Sequence, residues 1–135
     1  MTVKELSQLY WLNREIEADK RRLEELEAKA LPGAQVLTGM PHVQGSGDAL
    51  ERTVAEIVDL KAIIAAKQLQ CIHERNRLER YIAEIPDSLT RQIFTLRFVS
   101  GLPWYQVAMR IGGNTEDSVK KVCYRHLDKE NKPEQ

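Results

Sequence analysis

The sequence predicts an all-α chain in which a long N-terminal helical hairpin of coiled-coil type precedes a C-terminal helix-turn-helix domain. Three observations carry this. Apolar residues recur three and four apart over two long stretches, Pro and Gly gather between and after those stretches, and the last third reads helix, turn, helix, turn, helix with small residues at the turns. Aromatics make up 6% of the 135 residues and charged residues 30%, with Leu, Ile, Ala, Glu, Lys and Arg abundant, which suits long helices better than sheets.

The first helix carries Leu9, Leu12, Ile16, Leu23, Leu26 and Ala30, a heptad seam if Asp19 is admitted as its polar member. Pro32 and Gly33 end it, and the stretch through Gly39, Pro41, Gly45, Ser46 and Gly47 has loop composition, so a flexible loop is expected over about residues 31–48. Asp48 then caps a second helix expected over residues 49–85, roughly 55 Å long at about 1.5 Å per residue. From Leu50 its seam runs through Val54, Ile57, Ile64, Cys71, Leu78, Ile82 and Ile85, interrupted by Lys61, Gln68 and Arg75. Val58, Leu60, Ile63, Leu69 and Ile72 widen the stripe. The second helix outruns the first, which leaves apolar surface for the C-terminal domain or a second protomer to cover. Residues 1–85 are therefore read as a hairpin and oligomerisation region, 86–130 as the helix-turn-helix domain and 131–135 as a tail.

Pro86 stops the long helix, and Asp87 or Ser88 caps the next, whose core side is read as Leu89, Ile93, Leu96 and Phe98-Val99, closed by a left-handed Gly101. Pro103 suits the first turn of a further helix buried through Trp104, Val107, Ala108 and Ile111, with Ala108 small enough for a close helix crossing. Gly112-Gly113 makes the turn, and Asn114 or Thr115 caps the last helix. Val119, Val122, Cys123 and Leu127 give that helix its inward face.

Outward lie the residues expected to meet double-stranded DNA: Gln106, Arg110, Thr115, Ser118, Lys120, Lys121, Tyr124 and Arg125. Lys121 and Ser118 are placed nearest base edges, and Lys120 and Arg125 nearer phosphates. The whole chain has no net charge, but residues 86–127 hold six basic residues against three acidic ones, so DNA affinity is expected to be modest and salt-sensitive. Trp104 reads as core rather than as a base-stacking partner of Tyr105, and Trp11 beside Tyr10 as packing at the hairpin end or in an interface.

The run from Leu89 to Leu127, with Leu96-Arg97-Phe98, Gly101-Leu102, Ala108, Gly112 and Val119-Lys120, resembles region four of primary-type bacterial sigma factors. Over its full length, with Leu9-Tyr10-Trp11-Leu12-Asn13-Arg14-Glu15-Ile16 and Ile85-Pro86-Asp87-Ser88, the chain is similar to ArpU-like and RinA-like phage regulators of late gene transcription. The resemblance implies a sequence-specific DNA-binding transcriptional regulator of prophage type, and the uncovered stripe of the hairpin adds a helical dimer. Its rivals are a DNA-packaging recognition subunit of small-terminase type and a module that docks on RNA polymerase.

Catalysis finds no support, because Gly112-Gly113 lacks the spacing of a nucleotide-binding loop and no nucleophile set or carboxylate pair stands out, so no enzyme is expected. Cys71-Ile72-His73 puts its two ligand types on different helix faces, and Cys123 and His126 read as a buried thiol and a surface imidazole, so neither metal nor cofactor is expected. His42 in the loop suggests nothing specific. No apolar run of about 18 residues and no signal-peptide pattern appears, which suggests a cytoplasmic protein whose two cysteines stay reduced.

Overall fold

In the computed structural model, which describes residues 1–31 and 46–132, the chain is all-α, with six α-helices, one π-helical turn and no strand among the described residues. Helix α1 spans Val3–Leu6, α2 Gln8–Ala30, α3 Ser46–Ala83, α4 Ser88–Phe94, α5 Trp104–Ile111 and α6 Glu116–Asn131; the π turn, Thr95–Val99, follows α4 directly. The Pro and Gly positions at 32, 33, 39, 41 and 45, with His42 and most of the expected 31–48 loop, lie outside the described residues, as do residues 133–135 of the expected tail. Helix α3 starts ahead of the expected Asp48 cap, which leaves Asp48 inside its first turn.

Packing divides the chain into two compact units, Met1–Leu12 with Cys71–Gln135, and Asn13–Gln70. The first unit crosses the boundary expected near residue 85 because Leu6, Leu9, Leu78, Ile82 and Ile85 share one core with Ile93, Phe94, Phe98, Val107, Val119, Cys123 and Leu127. Burial of that apolar surface is what joins elements so distant in sequence.

In the Asn13–Gln70 unit, α2 and α3 run antiparallel, since Asp19 bonds Lys67 at 2.6 Å while the later Glu27 reaches the earlier Lys61 at 3.9 Å. Ile16, Leu26, Leu60 and Ile64 are buried. The α2 seam falls where its spacing predicts. The α3 seam lies one residue earlier than expected through its polar positions: Leu60 and Lys67 face inward, whereas Lys61 and Gln68 are exposed, as are Leu50 and Val54. The three-four rule was satisfied by either alignment. The ion pair selects the observed one, because Lys67 meets the polar member Asp19 of the other seam. The Asp19 carboxylate, through that hydrogen bond and with Glu15 nearby, raises the Lys67 ammonium above its ordinary pKa.

The other unit is ordered by local chemistry at each helix end. Asp87 caps α4, accepting from both the amide and the hydroxyl of Thr90, and these bonds hold its carboxyl below the usual range. Thr90 is thereby buried at little cost, and the buried face of α4 runs through Thr90, Ile93, Phe94 and Phe98. The expected face, which began at Leu89, was rotated by about one residue; Leu89 is exposed, and Phe94, absent from that reading, is fully buried with its ring edge-on to Phe98 and His126. In the π turn the Ser100 amide reaches back five residues to the Thr95 carbonyl, and past a left-handed Gly101 the Leu102 amide bonds the Leu96 carbonyl. The Tyr81 hydroxyl donates to Glu130, which also pairs with the N-terminal ammonium; burial and that carboxylate push the phenol up.

Candidate nucleic-acid interface

Helix α5 begins after Pro103, which occupies the N-cap with extended ψ rather than the first helical turn. Its Val107 and Ala108 are buried, and Trp104 and Ile111 are half-buried, so the predicted inner face holds. Gly112 and Gly113 both take positive φ, +74° and +67°, which an L side chain adopts only at a cost. Their backbone turns the chain into α6, where Thr115 is the cap and its hydroxyl accepts from the Ser118 amide. Asn114 supports this corner from both sides, donating to the Gly112 carbonyl at 3.1 Å and accepting from the Ser118 hydroxyl at 2.9 Å. The sequence left Asn114 and Thr115 as alternatives; the structure uses both, for different bonds.

On α6, Val119, Cys123 and Leu127 are buried, and Val122 is half-buried beside them. Burial pushes the Cys123 thiol up to about 12, against the opposing influence of Arg97. Arg97 itself is held in place. Its guanidinium donates to the Leu102 carbonyl and lies 4.7 Å from the Trp104 ring centre, and Trp104 in turn sits 6.2 Å from Tyr124. Trp104 is therefore a packing residue between charged and aromatic neighbours, and Tyr124, 43% exposed, is steadied on one edge of α6.

The expected DNA contacts sort into two groups. Arg110, Lys121 and Arg125 are exposed and carry no hydrogen bond or ion pair among the described residues. The others are partly engaged within the chain. Lys120 is half-buried and paired with Glu116 at 3.3 Å, Ser118 donates to Asn114, Gln106 donates to the Tyr105 hydroxyl at 3.2 Å, and Thr115 caps the helix while keeping its own proton to donate. Lys121 and Arg125 stand one turn apart on one face of α6, with Asp117 a turn before and Asp128 just after. Glu116 and Asp117 suit the positive end of the helix but oppose a phosphate there, so anion contact is confined to the middle of α6. Helix α5 also exposes Tyr105 and, 76% open, Met109, an i, i+4 apolar pair whose spacing was visible in the sequence.

A groove of about 550 Å³ lies elsewhere on this unit, lined by Ile82, Ala83, Leu96 and Ile111 with Glu79, Arg91 and Arg110 among its polar members. Arg91 is anchored there, donating to the Ile85 and Pro86 carbonyls. Among the described residues no group of three or more His, Cys, Asp or Glu is arranged to hold a metal ion, and no helix is long and apolar enough to cross a membrane. Cys71 and Cys123 are not disulfide-bonded. Comparison with known proteins finds no family model, no curated protein and no solved structure that matches this chain.

Proposed function

We propose that α5, the Gly112-Gly113 turn and α6 form a helix-turn-helix that lays α6 in the major groove of double-stranded DNA, and that the chain acts as a dimeric transcriptional regulator of phage type. The carrying observation is Lys121 and Arg125. Two like charges one turn apart cost a helix a few tenths of a kcal/mol, and among the described residues neither has a partner, on a helix whose opposite face is locked into the core. A phosphate backbone would relieve that repulsion, with Arg110 as a flanking donor and Tyr124 and Gln106 at the edges. The regulatory role and the phage type rest on the sigma-region-four resemblance of Leu89 to Leu127.

The test is fluorescence-anisotropy titration with duplexes from the protein's genomic neighbourhood and with random duplex. Saturable binding that favours one fragment, weakened at least tenfold in Lys121→Ala/Arg125→Ala, is the expected result. Absence of binding to any duplex at low salt overturns the reading. The groove with Leu96 and Ile111 favours a second use of the same unit, docking an apolar segment of RNA polymerase. Leu96→Glu should then abolish co-sedimentation with polymerase and leave DNA binding intact.

A further inference from the structure

Helix α3 carries a second apolar face. Apart from the seam that meets α2, Leu50, Val54, Val58, Ala62, Ala65 and Leu69 recur at steps of three and four and are all exposed, with Ala55 and Ala66 alongside. These residues share one side of the helix over about 28 Å at about 1.5 Å per residue. Two charged residues share this side of the helix: Glu51, about five turns before Leu69, and Lys61, between Leu50 and Val54 around the helix, whose ammonium reaches Glu27 on α2. Arg52, Glu56 and Asp59 fall on other sides, which leaves the stretch from Val58 to Leu69 on this face apolar apart from Lys61.

We infer that this face binds a second copy of itself, α3 against α3, antiparallel about a two-fold axis near residue 60. The argument is its self-complementarity. An isologous contact needs residue i against j and j against i, and an antiparallel pairing centred there sets Leu50 against Leu69, Val54 against Ala65 and Ala66, and Val58 against Ala62. At the centre each valine meets alanine on the other copy, so bulk fills the space that small residues leave, while Leu50 and Leu69 pack against each other at the two ends. A face built for an unrelated partner has no reason to alternate in this reciprocal way.

The area agrees with a dimer of limited strength. The four large side chains are 39 to 61% exposed. With the alanines they offer on the order of 500 Å² per copy, so a pair buries about 1,000 Å², the lower end of a specific interface. An interface of that size belongs with weak, transient contacts, so a concentration-dependent dimer is expected. The inference rests on the homo-oligomer part of the reading above and is independent of DNA binding.

Sedimentation equilibrium over a concentration series, without DNA, tests it. The wild type should pass from monomer to dimer, and Val58→Glu should stay monomeric at ten times the wild-type midpoint. Adding Ala62→Lys to Val58→Glu should restore the dimer, because position 58 of each copy faces position 62 of the other. Val58 is exposed, so circular dichroism should show unchanged helix content in both variants. A wild type that remains monomeric at several hundred micromolar overturns the inference together with the homo-oligomer reading. A wild-type dimer indifferent to Val58→Glu overturns this face alone, and failure of the second substitution to restore association overturns the antiparallel alignment.

Discussion

At the scale of single residues, the chain separates side chains that hold the fold from side chains left available to solvent, and Cys123 belongs wholly to the first kind. Its thiol is fully buried and ionises only near about 12, whereas in the unfolded chain it ionises near 9.0. Between those values the folded state binds the extra proton, so its contribution to stability is complete below pH 9 and is lost as pH rises toward about 12. Urea titrations across that range should show a steep alkaline fall in wild type and a shallower one in Cys123→Ala. With a thiol reagent at pH 8, the half-buried Cys71 should be modified in the folded protein and Cys123 only at the rate of unfolding; two equally fast thiols would contradict the burial. Cys123 was legible from the i, i+4 spacing of Val119, Cys123 and Leu127. Thr90 was not, because its burial depends on two hydrogen bonds to Asp87 that no hydrophobic pattern records, and overlooking it turned the reading of α4 away from Phe94.

At the scale of elements, helix ends were easier to read than helix faces. Asp87, Gly101 and Thr115 each sit where side-chain oxygen or missing Cβ predicts a cap or a turn, since capping is a property of one or two residues. The α3 seam is a property of two helices, and the choice between Leu60 and Lys61 was decided by Asp19 on α2. The π turn at Thr95–Val99 had no sequence signal at all. The corner between α5 and α6 yields a direct prediction. An added Cβ at Gly112 or Gly113 meets nothing within 4 Å, so the penalty of alanine there is conformational only. Gly113→Ala should lower the unfolding free energy by roughly 1–2 kcal/mol, and Gly112→Ala, at a ψ of 148° outside the left-handed helical region, by roughly 1–3 kcal/mol, both in urea titration without loss of helix content. A neutral result would mean that the turn does not need positive φ. The eight expected DNA residues do occur on or beside α5 and α6. Which of them are engaged within the chain, as Lys120 and Ser118 are, depends on Glu116 and Asn114 and could be seen only in three dimensions.

At the scale of the whole molecule, the absence of net charge limits long-range attraction to nucleic acid, so the proposed DNA binding would rest on a few local contacts. Four of the basic side chains on α5 and α6, Arg110, Lys120, Lys121 and Arg125, belong to the proposed contact surface of each copy. A plot of log affinity against log salt should therefore have a slope of about −3 to −4 for one copy, and close to twice that for a dimer with both α6 helices engaged. Anisotropy between 50 and 300 mM salt checks this, and a slope near zero would rule out phosphate contact.

The short bond between Asp19 and Lys67 has a consequence for alignment rather than strength. A seam of leucine and isoleucine is nearly indifferent to sliding, because a shift of seven residues sets apolar against apolar again. Slid one way, α3 would bring Leu60 to Asp19 and strand a carboxylate against hydrocarbon; slid the other way it would bring Glu74, a like charge. The pair works as an index mark between two otherwise interchangeable rulers. If both members were replaced by apolar residues of similar size, the two helices would keep their stability and lose their single alignment.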